Sequence, residues 1–214
     1  MPREIPFINQ PAEKIGQGSF SDVYKLQNDP RFVVKEYNRE RFEDVDSRKR
    51  VEDAQNEFAQ LKKIFGEYVP DADFILAKGA HDIANLFIVQ KKILGKPLDR
   101  GLIAENERAK KRFEDFITEA VRNYASRYNQ ETRTAPFLDI KSDNLIWGRT
   151  VDEPEAENKL YFIDTTKLFF NTALSRLRAK IMGFEEGGLD LTEAKNILGD
   201  LHSAAADSKD RAAS

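Results

Sequence analysis

The stretch Phe137-Leu138-Asp139-Ile140-Lys141-Ser142-Asp143-Asn144-Leu145-Ile146 places several polar side chains between apolar residues. Asp139 is followed by a lysine after two positions and by an asparagine after five. A carboxylate can accept a proton from a hydroxyl, an ammonium group can neutralise a phosphate, and an amide oxygen can bind Mg²⁺. The D-x-K-x-x-N spacing therefore predicts a catalytic loop for phosphoryl transfer, in which Asp139, Lys141 and Asn144 take these three roles.

A glycine-rich segment near the N-terminus, Ile15 to Tyr24, predicts two strands joined by a turn. Glycine lets the backbone approach a phosphate closely enough for its N–H groups to donate hydrogen bonds. The residues expected to contact phosphate are Gly16, Gln17, Gly18 and Ser19.

Two more segments predict strands that place a charged residue in a position suited to phosphate or metal binding. Phe32 to Tyr37 predicts a β-branched strand that contains Lys35, and Leu160 to Thr166 predicts an apolar strand that ends at Asp164. Glu57 follows Lys35 by 22 residues. It lies in a helical run whose apolar residues recur at helical spacing, namely Phe58, Leu61, Ile64 and Phe65.

In the order and spacing of these segments, residues 10 to 170 resemble a protein kinase. The resemblance implies an α+β, bilobal fold and a minimal kinase domain over residues 1–203. Its small β-rich N-lobe would span about 10–92, and its truncated, mainly α-helical C-lobe about 93–203. Residues 204–214 are small and polar, which predicts a disordered tail. The implied cofactors are ATP and Mg²⁺.

The resemblance also implies a role for each motif residue. Lys35 would position the α- and β-phosphates and Glu57 would orient Lys35, with Glu52 as the alternative partner. Asp139 would be the base and Lys141 would contact the γ-phosphate. Asn144 and Asp164 would hold Mg²⁺. The implied nucleobase contacts are Val23, Gln90 at the back of the pocket, and Lys91 and Ile93 in the hinge.

Three features depart from the kinase pattern. Phe137 and Leu138 stand where kinases usually have His and Arg, which predicts no switch by an activation-loop phosphate. Thr165 and Thr166 replace the usual Phe-Gly. Only 50 residues follow Asp164, without an Ala-Pro-Glu. In size and truncation the chain resembles the minimal effector kinases that bacterial pathogens inject into host cells. A kinase used by a bacterium or phage itself is the alternative.

The expected activity is ATP-dependent phosphorylation of Ser or Thr on a folded protein substrate, such as a host protein. Two alternatives remain open. A pseudokinase would bind a partner and transfer nothing. A small-molecule kinase related to aminoglycoside or choline kinases would share Asp139, Asn144 and Asp164, but such enzymes usually lack the equivalent of Lys141.

Composition narrows the other classes of function. Net charge is −3, from 34 basic and 37 acidic residues, which gives no reason to expect nucleic acid or a membrane as partner. The sequence contains no cysteine and no apolar run of membrane-spanning length. Residues 1–14 lack the apolar core of a secretory signal. We therefore expect a monomer that works in a cytoplasm, either of the producing cell or of a host.

Periodicity predicts the remaining elements. Phe74 to Ala77 and Leu86 to Val89 predict a pair of strands, and residues 102–129 predict one long core helix. Gly148 to Asn158 predicts a long hairpin turn. Two short helices are expected after Asp164.

Overall fold

The computed structural model describes residues 13–17, 21–26, 29–37, 47–78, 84–129, 137–138, 140–164, 167–168, 173–185 and 188–212. The fold is α+β, with a β-rich N-terminal region and a helical C-terminal region, as the sequence predicts. None of the helices in these ranges is long and apolar enough to cross a membrane.

The chain divides into two compact units, and each is built from three separate segments. The first unit contains Met1–Lys63, Pro70–Leu94 and Arg149–Glu157. The second unit contains Ile64–Val69, Gly95–Gly148 and Asn158–Ser214. The main boundary at Leu94 lies close to the expected end of the first lobe at residue 92. The sequence does not indicate that residues 64–69 belong to the second unit or that residues 149–157 belong to the first.

The first unit contains an antiparallel five-stranded sheet in the order β1-β2-β3-β5-β4. The strands are β1 Glu13–Gln17, β2 Ser21–Lys25, β3 Phe32–Tyr37, β4 Ala72–Lys78 and β5 Ala84–Lys91. The predicted strand pair corresponds to β4 and β5, in which Phe74 is the direct partner of Ile88. Alternating side chains bury one apolar set on each face, because successive residues of a strand point to opposite sides.

Helix α1, Ser47–Phe65, covers one face of this sheet, which we call the helix face. Val51 of α1 packs with Leu86 and Ile88, and the Phe58 ring lies 5.2 Å from the Phe74 ring. The opposite face buries a second cluster that consists of Leu26, Val34, Ile75, Phe87 and Val89.

The second unit is organised around helix α3, Glu107–Arg127. Its buried residues recur at helical spacing and are Ala109, Phe113, Phe116, Ile117, Ala120, Val121 and Tyr124. The Phe116 ring lies 5.3 Å from Phe65 and 5.7 Å from Phe162. The other helices of the unit are α2 Arg100–Glu105, α4 Ala173–Glu185 and α5 Thr192–Ala212.

Short strands complete the described chain. Strands β6 Ile93–Pro97, β8 Leu145–Thr150 and β9 Lys159–Phe162 form a sheet in the order β6-β8-β9. β8 and β9 are antiparallel, which confirms the hairpin predicted around residues 148–158. Strand β7, Phe137–Leu138, pairs with β10, Lys167–Leu168. At Gly95 a Cβ atom would lie 2.4 Å from the Trp147 carbonyl oxygen, so glycine is required there.

Two predictions about the helices were wrong. The single helix expected over 102–129 is two helices, because Asn106 ends α2 and caps α3 through a hydrogen bond from the Ala109 N–H. The tail expected to be disordered over 204–214 continues α5 as far as Ala212. Its alanines favour a helix more strongly than any other residue, which explains the difference.

Candidate functional site

Asn144 and Asp164 lie together in the second unit. The Asn144 Nδ2 donates a hydrogen bond to Asp164 Oδ2 at 3.4 Å. Asn144 is only 7% exposed, and Asp164 is half-buried. The structure therefore brings together the two residues that the sequence assigned to metal binding, although 20 positions separate them.

Backbone hydrogen bonds fix this pair. Asn144 ends a 3₁₀ helix, Ser142–Asn144, in which the Asn144 N–H donates to the Lys141 carbonyl at 3.0 Å. The Ile163 N–H donates to the Asn144 carbonyl at 2.9 Å, directly before Asp164. The buried partners Leu145 and Phe162 begin the β8–β9 ladder from the same place. We call this arrangement of Asn144 and Asp164 the hairpin site.

Lys35 lies on the helix face of the first unit. It is paired directly with Val23 of β2 and with Ile88 of β5. Directly paired residues share a face of the sheet. Ile88 packs against α1, so Lys35 lies on the side that this helix partly covers. The row continues to Gly16 on β1, which is the partner of Val23.

Glu57 lies on α1, the helix that packs against the same face of the sheet. Its neighbour Phe58 packs against the helix face, and so does Ala54, one turn earlier. Glu57 is half-buried, whereas Glu52 is exposed. Burial therefore favours Glu57 over Glu52 as the partner of Lys35. We call Lys35, Glu57 and the helix face of the sheet together the helix-face site.

The two faces of the sheet differ in their charged residues. Strand alternation places Lys25 and Lys35 on the helix face. The acidic residues of strands β2 to β5 are all on the opposite face and are Asp22, Glu36 and Asp73. There, burial and the neighbouring Glu36 and Asp22 carboxylates raise the pKa of Tyr24 above its ordinary value. Within strands β2 to β5 the helix face thus carries lysines and no acid, which suits an anionic ligand, whereas Glu13 of β1 is the direct partner of Lys25.

Apolar residues and one amide flank Lys35 on the helix face. Val23 and Val33 are half-buried. Val33 is the direct partner of Gln90, which is 4% exposed. Ile15 precedes Gly16 and is 48% exposed, a high value for a large apolar side chain. A flat apolar ring bound here would cover surface that is otherwise left to water.

Ile15 and Val33 were missed in the sequence. For Val33 a signal was present, since a residue two positions before Lys35 in a strand must share its face. For Ile15 the signal was weaker, because an apolar residue before a glycine turn is usually a core residue.

The predicted hinge is an extended segment at the end of β5. The Lys92 N–H donates to the Arg31 carbonyl at 2.7 Å, and the Lys92 carbonyl accepts from the Val151 N–H at 3.1 Å. Peptide groups of neighbouring residues in extended chain point to opposite edges. The Lys91 carbonyl and the Ile93 N–H therefore face the other edge, as two hydrogen-bonding groups for a planar ligand.

Two of the remaining predicted residues lie on the surface, and three lie outside the described residues. Lys141 is exposed directly before the 3₁₀ helix, and Gln17 is exposed at the end of β1. Asp139, Gly18 and Ser19 lie outside the described residues. Their assigned roles therefore stay predictions.

The donor set of the hairpin site fits Mg²⁺ better than a transition metal. A carboxylate and an amide offer hard oxygen ligands, and Mg²⁺ usually takes its other ligands from water and phosphate. Within the described residues no cluster of three or more His, Cys, Asp or Glu side chains could hold a metal ion. A cation bound by Asn144 and Asp164 could complete its coordination with water or with phosphate oxygens.

Comparison with known proteins adds no relative: no family model matches the chain, and no curated protein matches it.

Proposed function

We propose that this protein is an ATP- and Mg²⁺-dependent protein kinase that phosphorylates Ser or Thr hydroxyls. The observation that carries the proposal is the contact of Asn144 with Asp164 at 3.4 Å. Asn144 is the last residue of the D-x-K-x-x-N pattern, and Asp164 directly follows the apolar run Leu160–Ile163. In kinase chemistry the residues at these two positions hold the Mg²⁺ ions.

The helix-face site gives independent support. A kinase needs a lysine over the phosphates and a glutamate that orients it. Lys35 lies on the sheet face that α1 covers, and Glu57 is the half-buried acid of that helix. The neighbouring Val23, Val33 and Gln90 offer apolar surface and an amide for a nucleobase. In this proposal Gly16 and its turn approach the phosphates.

Each residue has a separate part in the proposed reaction. Asp139 accepts the proton of the attacking hydroxyl, and Lys141 balances charge on the transferred group. Mg²⁺ held by Asn144 and Asp164 would supply charge neutralisation at the phosphates. Lys35 and Glu57 fix the α- and β-phosphates, so that the reacting atoms stay aligned.

Lys141 points to a protein as the substrate class. In the families that the motif resembles, a lysine two positions after the catalytic Asp is typical of protein kinases. Its side chain is exposed, as a group that meets an external substrate must be. A folded protein in a cytoplasm, of the producing cell or of a host, is the proposed target, and ATP and Mg²⁺ are available there.

The test is transfer of the terminal phosphate of labelled ATP into cell lysate, with Mg²⁺ or with EDTA. The Asp139→Asn variant is the matched control, because it removes the base and preserves shape. Label on Ser or Thr of protein that needs both Mg²⁺ and Asp139 is the expected result. Label on small metabolites alone would identify a small-molecule kinase. ATP binding without any transfer would identify a pseudokinase.

A further inference from the structure

The connection between β8 and β9 contacts the segment that carries the proposed nucleobase contacts. The Asp152 carboxylate forms an ion pair with Lys91 Nζ at 3.1 Å. The Val151 N–H donates to the Lys92 carbonyl at 3.1 Å. Residues 149–157 belong to the first unit, together with Lys91 and Lys92. The contact is therefore internal to that unit.

A third segment, the turn before β3, completes the network. The Arg31 guanidinium donates two hydrogen bonds to the Asp29 carboxylate, at 2.8 and 2.6 Å. Asp29 also holds the pKa of Arg31 above its ordinary value, with a smaller contribution from Asp152. Asp152 thus lies in the field of two cations, Arg31 and Lys91. The Arg31 carbonyl accepts the hydrogen bond of the Lys92 N–H.

These contacts hold one edge of the Lys91–Lys92 backbone. Both peptide groups of Lys92 are used, one toward Arg31 and one toward Val151. Alternation then directs the Lys91 carbonyl and the Ile93 N–H to the other edge. A shift of the backbone at Lys92 would move both groups, and a planar ligand that bonds to both tolerates little misplacement.

We propose that Asp152 is a positioning residue for nucleotide binding, which holds Lys91 and Lys92 against the Arg31 turn so that the backbone groups of Lys91 and Ile93 meet the nucleobase. The proposal rests on the proposed kinase function. It assigns a role to an acidic residue outside every motif in the sequence. Asp152 acts on the affinity for ATP and leaves the chemical step to other residues.

The experiment compares KM for ATP and kcat of the wild type with those of Asp152→Asn. Partly exposed ion pairs are modest, so KM should rise about two- to fivefold while kcat stays unchanged. Asp152→Glu should restore most of the affinity. Glu155→Gln is the matched control, because it makes the same charge change at an exposed position of the same connection. Its KM should equal that of the wild type.

A charge exchange gives a readout that a general loss of stability would not. Asp152→Lys places two cations together and should raise KM more than Asp152→Asn. Adding Lys91→Asp restores an opposite pair and should lower KM again. Unchanged KM in Asp152→Asn, an equal change in Glu155→Gln, or a parallel loss of kcat and melting temperature would overturn the positioning role.

The two proposals fail in different ways. If the wild type neither binds nor hydrolyses ATP, the kinase function falls and the role of Asp152 falls with it. If the wild type transfers phosphate and the Asp152 variants keep its KM, only the role of Asp152 is wrong. Titration of the same variants with a fluorescent ATP analogue measures the affinity without turnover, and its dissociation constants should follow the KM values.

Discussion

The hairpin site and the helix-face site hold their residues by different means. At the hairpin site, backbone hydrogen bonds around the 3₁₀ helix fix Asn144 and Asp164 from within one local structure. At the helix-face site, a strand carries Lys35 and a separate helix carries Glu57, and apolar packing holds that helix on the sheet. A side-chain substitution at the hairpin site therefore removes a functional group and leaves the local backbone in place. At the helix-face site a substitution could also disturb the packing of α1, so it needs a control substitution on that helix.

Asp164→Ala should have the largest effect. The backbone that positions residue 164 stays in place, so the fold should survive while the metal ligand is lost. We expect phosphoryl transfer to fall by at least about 10²–10⁴-fold, comparable to the loss of a general acid or base. Transfer assays with Mg²⁺ measure this, and thermal unfolding checks the fold.

Asp143→Asn is the matched control for that experiment. Asp143 belongs to the same 3₁₀ helix but is exposed, and its variant should keep wild-type activity. If Asp164→Ala retains wild-type turnover while folded, or if Asp143→Asn loses activity equally, the hairpin site does not hold the metal.

At the helix-face site the comparison predicts an intermediate effect. Glu57→Gln keeps the shape of the side chain but removes the charge that would orient Lys35. Charged hydrogen bonds contribute about 1.5–3 kcal/mol, so activity should fall roughly ten- to a hundredfold. Lys35→Met should lose at least as much. Steady-state rates at saturating and limiting ATP separate binding from turnover.

Glu52→Gln makes the same chemical change on the same helix at an exposed position. It should leave both kinetic constants unchanged. If Glu52→Gln is the damaging variant and Glu57→Gln is silent, the helix presents the other carboxylate and the assignment must be exchanged.

A glycine pair tests how strictly backbone contacts hold the second unit. At Gly95 a Cβ would meet the Trp147 carbonyl oxygen at 2.4 Å, whereas at Gly199 no described residue beyond the neighbouring backbone of α5 would lie within 4 Å of a Cβ. Gly95→Ala should destabilise the protein by about 1–3 kcal/mol through overpacking. Gly199→Ala should stabilise it by about 0.5–1 kcal/mol. Urea unfolding followed by fluorescence measures both, and equal changes would show that β6 and β8 adapt to a methyl group.

Tyr124 on α3 should give the smallest effect at neutral pH. Its hydroxyl is buried and has no hydrogen-bond partner among the residues that the structure describes. Removing an unpaired polar group costs little, so Tyr124→Phe should lie within about 1 kcal/mol of wild type at pH 7.

At alkaline pH the wild type and Tyr124→Phe should differ in stability. Burial, with a smaller contribution from Tyr128, raises the pKa of Tyr124 to about 12. The native state then keeps a proton that the unfolded chain releases near the ordinary tyrosine pKa of 10.0. The free energy of unfolding therefore keeps this contribution below pH 10 and loses it as the pH rises from 10 to about 12, because ionisation of the unfolded chain favours unfolding. Tyr124→Phe should lose less stability between pH 10 and 12, and parallel curves would contradict a raised pKa.

Local patterns predicted most of the elements but not their assembly. The apolar runs of β4 and β5 and the stripe of α1 were clear from alternation and helical spacing. Asn106 was read as a helix interior, although a capping residue can join two helices whose apolar faces continue in phase. The end of α5 was read from polarity, when the helix propensity of its alanines was the better guide.

The site was predictable to the extent that it follows motifs. Asn144 and Asp164 were named from spacing, and their contact agrees with that. Val33 shares the face of Lys35 by strand alternation, whereas the place of Ile15 beside that face follows only from strand pairing. The contact of Asp152 with Lys91 could not have been foreseen, because it depends on where a long connection folds.

The division of each unit into three chain segments has a consequence for synthesis. Residues 149–157 complete the first unit, but the ribosome must first add all of Gly95–Gly148. At about 5–20 residues per second this takes roughly 3–10 s. During that interval the five strands of the sheet have been translated, yet the Lys92 carbonyl and the Lys91 ammonium group wait for Val151 and Asp152, which are still to be translated. Chaperone demand should therefore peak before the C-terminal third emerges, and slowing translation there would lengthen the exposure.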